Sequence, residues 1–124
     1  MTIGSLTSLS LRPPLLLVCL QRASTTLDLI ARHRRFAVNV LAVGHDRLAD
    51  TFARPRDSGA AAVGSFETVD DVPVLTDAVT WLTCQHEHNY TSGDHMIVIG
   101  AVLRAHSTDR EPLVRHRSRY RRLE

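Results

Sequence analysis

The stretch Ser5-Leu6-Thr7-Ser8-Leu9-Ser10-Leu11-Arg12-Pro13-Pro14-Leu15-Leu16-Leu17-Val18-Cys19-Leu20 sets a strip of hydroxyls and aliphatics against a double proline and then a wholly apolar run. From Thr7 to Leu11 small hydroxyls and leucines succeed one another with a period near two, the pattern of a half-buried strand. Pro13-Pro14 excludes a helix and removes two ladder donors, so the chain turns or runs along an edge there. Leu15 to Leu20 then reads as a buried strand. Hydroxyls displayed beside an apolar wall suit a ligand with a flat apolar body and polar edges.

The surrounding composition sets limits on this reading. A chain of 124 residues, 44% hydrophobic and 23% charged, is expected to form one globular domain spanning 1–124. The longest apolar run, Leu15 to Leu20, falls far short of the ~20 residues that cross a bilayer. No basic segment leads into an apolar one near Met1, so no membrane partner and a cytoplasmic location are expected. Cys19 and Cys84 each sit in apolar, strand-like surroundings and read as buried free thiols. All 15 cationic residues are arginine. Arg110, Arg115, Arg117, Arg119, Arg121 and Arg122 crowd the C-terminal end, but with Tyr120 as the lone aromatic beside them they read as a solvated strand end, not a nucleic-acid surface.

After the apolar strand, Ser24 or Thr25 can cap a helix over Thr26 to His33, with Leu27, Ile30 and Ala31 on one face and Asp28 in the first turn. The same hydroxyls beside free backbone N–H groups also make an anion site, and the spacing favours capping. Phe36 to Leu41 is a short strand broken by Asn39, an amide that either ties down a neighbouring turn or holds a ligand. His45 to Phe52 reads as a second short helix, and Ala53 to Gly64 as a flexible loop. Asp70 to Pro73 is a turn feeding Val74-Leu75. Val79 to His88 is a strand whose alternation puts Cys84, His86 and His88 on one face, with His95 or His106 to complete a zinc set. No carboxylate stands ready to orient those imidazoles, so surface histidines are the preferred reading and no metal is expected. Asn89 to Asp94 is turn chemistry, His95 to Leu103 the return strand, and Gly100 within it marks a bulge or a close backbone approach. A last strand runs from Glu111 to about Tyr120. Many short strands with few short helices give a mainly β barrel.

No nucleophile triad, phosphate loop or carboxylate pair offers side-chain catalysis, so a bound cofactor is the expected carrier of any chemistry. The segments Thr7 to Leu20, Phe36 to Ala42 and Gly93 to Val102 together resemble the flavin reductase-like, FMN-binding split-barrel family, the reductase components of two-component flavin-dependent monooxygenases. The resemblance covers Met1 to about Tyr120. It implies a Greek-key split barrel with short helices that dimerises with FMN or FAD near the subunit interface. It also implies hydride transfer from NADH or NADPH, with a partner monooxygenase as a destination for reduced flavin. On the residues that match, it places Thr2, Ser5, Leu6, Thr7 and Ser8 along the isoalloxazine, Ser24, Thr25 and Thr26 at the phosphate and Asn39 in the flavin site. Gly93 and Asp94 fall at the nicotinamide nucleotide, with His95 as the catalytic residue. Family members begin well upstream of the Gly-Met-Thr that Met1-Thr2 continues, so the resemblance further implies a truncated chain lacking the first barrel strands. Between Pro55 and Phe66, and at Arg115 and Ser118, the sequence departs from the family pattern. The alternative is a flavin-binding or inactive split-barrel remnant that serves as a binding protein.

Overall fold

The computed structural model describes residues 1–54 and 64–123. Its centre is a five-stranded antiparallel sheet in the order β1-β2-β7-β6-β3. The strands are β1 (Thr7–Leu11), β2 (Pro14–Gln21), β3 (Arg35–Val40), β6 (Thr80–Ser92) and β7 (His95–Ser107). The double proline acts as its chemistry dictates: Leu11 pairs with Pro14, so Arg12 and Pro13 alone make the turn between β1 and β2. Along β2 the side chains alternate, with Leu16, Val18 and Leu20 buried and Leu15, Leu17 and Cys19 half-buried on the opposite face.

Helix α1 (Thr25–His33) lays Leu27 and Ile30 on the buried face of the sheet, where they join Leu16, Val18, Leu20, Phe36, Cys84 and Val98 in the main core. Ala31, expected on that face, is exposed. The helix ends at Arg34, whose φ of 62° is left-handed and whose N–H reaches Ile30 O. Helix α2 (Asp46–Phe52) comes after β3 and packs Leu48 with Leu75 and Ala78 in a second, smaller core. Two hairpins complete the fold: β4 (Phe66–Val69) with β5 (Val72–Leu75), and β8 (Val114–His116) with β9 (Arg119–Arg121).

The expected turn from Asn89 to Asp94 is mostly strand. Pairing continues to Ser92↔His95, and only Gly93 and Asp94 are left to close the hairpin, with Gly93 at a φ of 60°. The strict alternation expected along β6 also fails. Register shifts lie between Thr83 and Cys84, where Leu103 is the extra residue on β7, and between His86 and His88, where Glu87 is the extra residue on β6. As a result Thr83, Cys84 and His86 are all buried while His88 is exposed, so the three candidate zinc ligands do not share a face. Among the described residues no group of His, Cys, Asp or Glu side chains is arranged to hold a metal ion. Gly100 does mark a close approach, because a Cβ there would stand 2.6 Å from Phe36 Cζ.

Strand β4 carries no clear apolar alternation, and its residue pattern does not signal it. The last expected strand proves to be the β8–β9 hairpin, folded at Arg117 and Ser118. The expected flexible loop lies largely outside the described residues. Both cysteines are free, and burial pushes the Cys84 thiol up to about 12. No helix among the described residues is long and apolar enough to cross a membrane.

Candidate functional site

The β6–β7 hairpin brings the histidine-bearing turn to the start of α1. Arg22 N donates to Asp94 O at 3.0 Å, which clamps the β2–α1 connector against the hairpin tip. Gln21, Arg22, Ala23 and Asp94 line a cleft of about 620 Å³ at this junction. Asp94 Oδ1 lies 2.8 Å from His95 Nδ1, and that hydrogen bond holds the Asp94 carboxyl below its ordinary range. A carboxylate accepts only, so Nδ1 carries the proton and Nε2 is the nitrogen left to meet another group. The His95 side chain is 45% exposed and therefore reachable.

Ser24 occupies the N-cap position of α1 in extended conformation, but its hydroxyl makes no capping bond. It points instead toward Met1 Sδ at 3.7 Å. The first N–H groups of a helix have no partner inside it, so an uncapped start leaves donors available to an anion. Thr25 is exposed and Thr26 half-buried beside it. This arrangement fits a phosphate: uncapped helix donors, three hydroxyls, and the exposed Arg22 a few residues away.

A second cavity, an apolar trough of about 660 Å³, runs between α1, α2 and β3, and Thr2, Leu6, Thr26 and Asn39 all open onto it. The N-terminal segment is held at its lip by Thr2, which donates from N to Phe52 O at 2.9 Å and from Oγ1 to Ala49 O at 2.7 Å. Ser5 is fixed differently. Its Oγ donates to Cys19 O at 2.9 Å and accepts from Cys19 N at 3.0 Å, so the hydroxyl stands in for a neighbouring strand. Leu6, Thr7 and Ser8 are exposed. Asn39 Oδ1 accepts from Leu75 N at 2.8 Å, tying β5 to β3, while its Nδ2 makes no hydrogen bond among the described residues.

The residues singled out in the sequence therefore fall in two groups. Ser24, Thr25, Gly93, Asp94 and His95 surround the clamped junction, and Thr2, Leu6, Thr26 and Asn39 face the trough. Ser5 lies just before β1, and Thr7 and Ser8 are the first residues of that strand. Gln21 and Arg22 carry no motif and look in sequence like a plain connector. Only the contact between two chain segments far apart in sequence, Arg22 and Asp94, reveals them, and no local pattern carries that signal.

The family profile of the flavin reductase like domain matches residues 1–124. This chain belongs to the flavin reductase-like family. Among its relatives, the NADH-dependent FMN reductase AsuE2 of Streptomyces nodosus subsp. asukaensis is 38% identical over 98% of this chain and 69% of the relative. The chain spans less than two thirds of several other curated relatives, among them a probable flavin reductase of Rhizobium meliloti, 41% identical over 82% of this chain and 32% of the relative. Among solved structures, the NADH:FAD oxidoreductase SgcE6 of Streptomyces globisporus superposes with a TM-score of 0.89 at 30% identity, covering 98% of this chain and 75% of that one. BorF, the flavin reductase component of a bacterial two-component tryptophan halogenase, gives 0.86 at 33% identity, covering 96% and 78%. The β-rich architecture is thus that of the flavin reductase split barrel, as the resemblance implied.

Proposed function

We propose that this flavin reductase-like chain is an NAD(P)H-dependent flavin reductase using FMN or FAD. The observation that carries the reading is the clamp between Arg22 and Asp94, which ties the connector just before the uncapped start of α1 to the hairpin tip that carries the accessible His95. Bound flavin supplies the acceptor for a hydride from NADH or NADPH. Ser24, Thr25 and Thr26 hold the flavin phosphate with the free N–H groups of α1. The segment carrying Thr2, Ser5, Leu6, Thr7 and Ser8 lies along the ring, with Ser5 contributing backbone because its hydroxyl is committed to Cys19. Asn39 Nδ2 donates to the same ligand.

Gly93 lets the tip turn, and Asp94 fixes the His95 tautomer so that Nε2 is presented to the nicotinamide carboxamide. His95 acts by positioning, since hydride donor and acceptor must be brought within about 3.5 Å. The partners we propose are a second copy of this chain and a monooxygenase that receives reduced flavin, in the cytoplasm, where two free thiols persist. Support for the second copy comes from β2 and β7. Leu15, Leu17 and Cys19 pair with Ala101, Ile99 and Ile97, so the face turned away from the core is apolar too. Antiparallel strands that meet water on one side alternate apolar with polar residues, and these do not.

Adding FMN and NADH to the purified chain tests the reading. The expected result is NADH oxidation that depends on flavin. Flavin binding without NADH oxidation would leave a binding protein in place of a reductase, and no flavin binding would remove both.

A further inference from the structure

The charge of the molecule is segregated. Five arginines against Glu124 leave the last thirteen residues at +4, whereas ten arginines against twelve acidic residues leave the preceding 111 at −2. The excess sits on the β8–β9 hairpin. Two arginines elsewhere are ion-paired: Arg104 Nε is 3.1 Å from Asp70, and Arg35 Nη1 is 3.9 Å from Asp71. The other described arginines outside the hairpin stand singly along the chain or, like Arg34, turn to a backbone carbonyl. Among the described residues no carboxylate lies within ion-pair distance of Arg115, Arg117, Arg119, Arg121 or Arg122.

The hairpin is held in one orientation. Tyr120 donates its hydroxyl to Asp50 Oδ1 on α2 at 2.6 Å, and Arg115, directly across the ladder, places its guanidinium 5.9 Å from the Tyr120 ring centroid. Since Arg115 and Tyr120 share one face, His116, Arg119 and Arg121 share the other with the half-buried Val114. Arg119 and Arg121, two positions apart on one strand, stand about 7 Å from one another. The tip is costly: Arg117 and Ser118 adopt φ of 51° and 61°, where an L-residue other than Gly, Asn or Asp loses about 1 kcal/mol. A cation is thus kept at a position that glycine would fill more easily.

We infer that the outward face of this hairpin, built on His116, Arg119 and Arg121 with Arg117 at its tip, is a docking surface for an acidic patch on a protein partner. His116, Arg117, Arg119 and Arg121 are all exposed, which suits a macromolecular surface better than an enclosed small-ligand site. It offers guanidiniums suited to carboxylates. Nucleic acid is disfavoured because Tyr120, the one Phe, Tyr or Trp on the hairpin, is already tethered to Asp50 with the Arg115 guanidinium 5.9 Å from its ring centroid, leaving the His116 imidazole alone on the outward face. Resting on the reductase reading, the partner is the oxygenase that takes reduced flavin.

The test uses poly-L-glutamate as an acidic polypeptide, with binding followed by fluorescence anisotropy at low salt. Each arginine's reaction with phenylglyoxal is read in parallel by mass spectrometry. Bound poly-L-glutamate is expected to protect Arg117, Arg119 and Arg121, with the ion-paired Arg104 as internal control. Arg119→Ser with Arg121→Ser is expected to weaken binding about tenfold while NADH oxidation with FMN is unchanged, and Arg119→Lys with Arg121→Lys is expected to retain most of it. Equal binding by the serine variant, protection confined to other arginines, or tighter binding of poly-dT or phosphatidylserine vesicles would overturn the assignment. A chain that binds poly-L-glutamate through the hairpin yet never reduces FMN would sink the reductase reading and leave this surface standing. Active enzyme without hairpin-dependent binding does the reverse.

Discussion

The β6–β7 and β8–β9 hairpins each close with two residues, and they solve the same backbone problem in opposite ways. Between β6 and β7 a glycine takes the left-handed conformation, so Asp94 and His95 are free to engage one another and the β2–α1 connector. Between β8 and β9 there is no glycine, and Arg117 and Ser118 bear the positive φ themselves. One tip is relaxed and wired into its surroundings. The other is strained, tethered from behind by Tyr120, and covered with unanswered charge. The difference separates a turn that holds a group in place from a turn that displays one.

Removing the held group is the harshest way to break the comparison. His95→Ala is expected to lower kcat/KM for NADH by roughly 100-fold with FMN affinity unchanged, measured by steady-state kinetics and flavin titration. A loss confined to flavin affinity would contradict the role given to His95. Gly93→Ala forces a Cβ into a φ of 60° and is expected to destabilise the fold by about 1–2 kcal/mol in urea. Arg117→Gly should do the converse, gaining about 1 kcal/mol with turnover unaltered.

The mildest test is pH, and it separates the two hairpins by the side from which they fail. The Asp94 carboxyl is held below its ordinary 3.8 by His95, so that contact is fully present above 3.8 and is lost as pH falls through the lower folded value. The Tyr120 hydroxyl is raised above its ordinary 10.0 by its bond to Asp50, so its tether is fully present below pH 10.0 and is lost as pH rises through the higher folded value. Histidine and tyrosine NMR signals should show acid loosening the β6–β7 tip and alkali loosening β8–β9. A common midpoint for both would erase the distinction.

Much of this architecture is legible in residue order. The double proline locates the β1–β2 turn, the hydroxyls at 24–26 locate the start of α1, and the apolar runs locate β2, β3 and β7. Composition cannot announce the bulges in the β6–β7 ladder, because Glu87 on β6 and Leu103 on β7 fit unbroken strands equally well. The inserted residues are set by the pairing of the two strands with one another. Strand β4 is hidden for a related reason: Phe66-Glu67-Thr68-Val69 gains its conformation from pairing with β5, not from its own pattern. Within the site, Ser24, Asp94 and His95 are legible from local motifs, whereas Gln21 and Arg22 enter through a contact between distant segments.

The Ser5 hydroxyl, bonded to both backbone groups of Cys19, has a consequence for the fate of the chain in a crowded solution. Strand β1 begins only at Thr7, opposite Leu17, so beyond that point β2 would present a bare edge to any extended peptide nearby. One side chain occupies the donor and the acceptor at Cys19 and closes that edge without a strand. Its loss, as in Ser5→Ala, would leave an apolar, ready-made template for edge-to-edge aggregation.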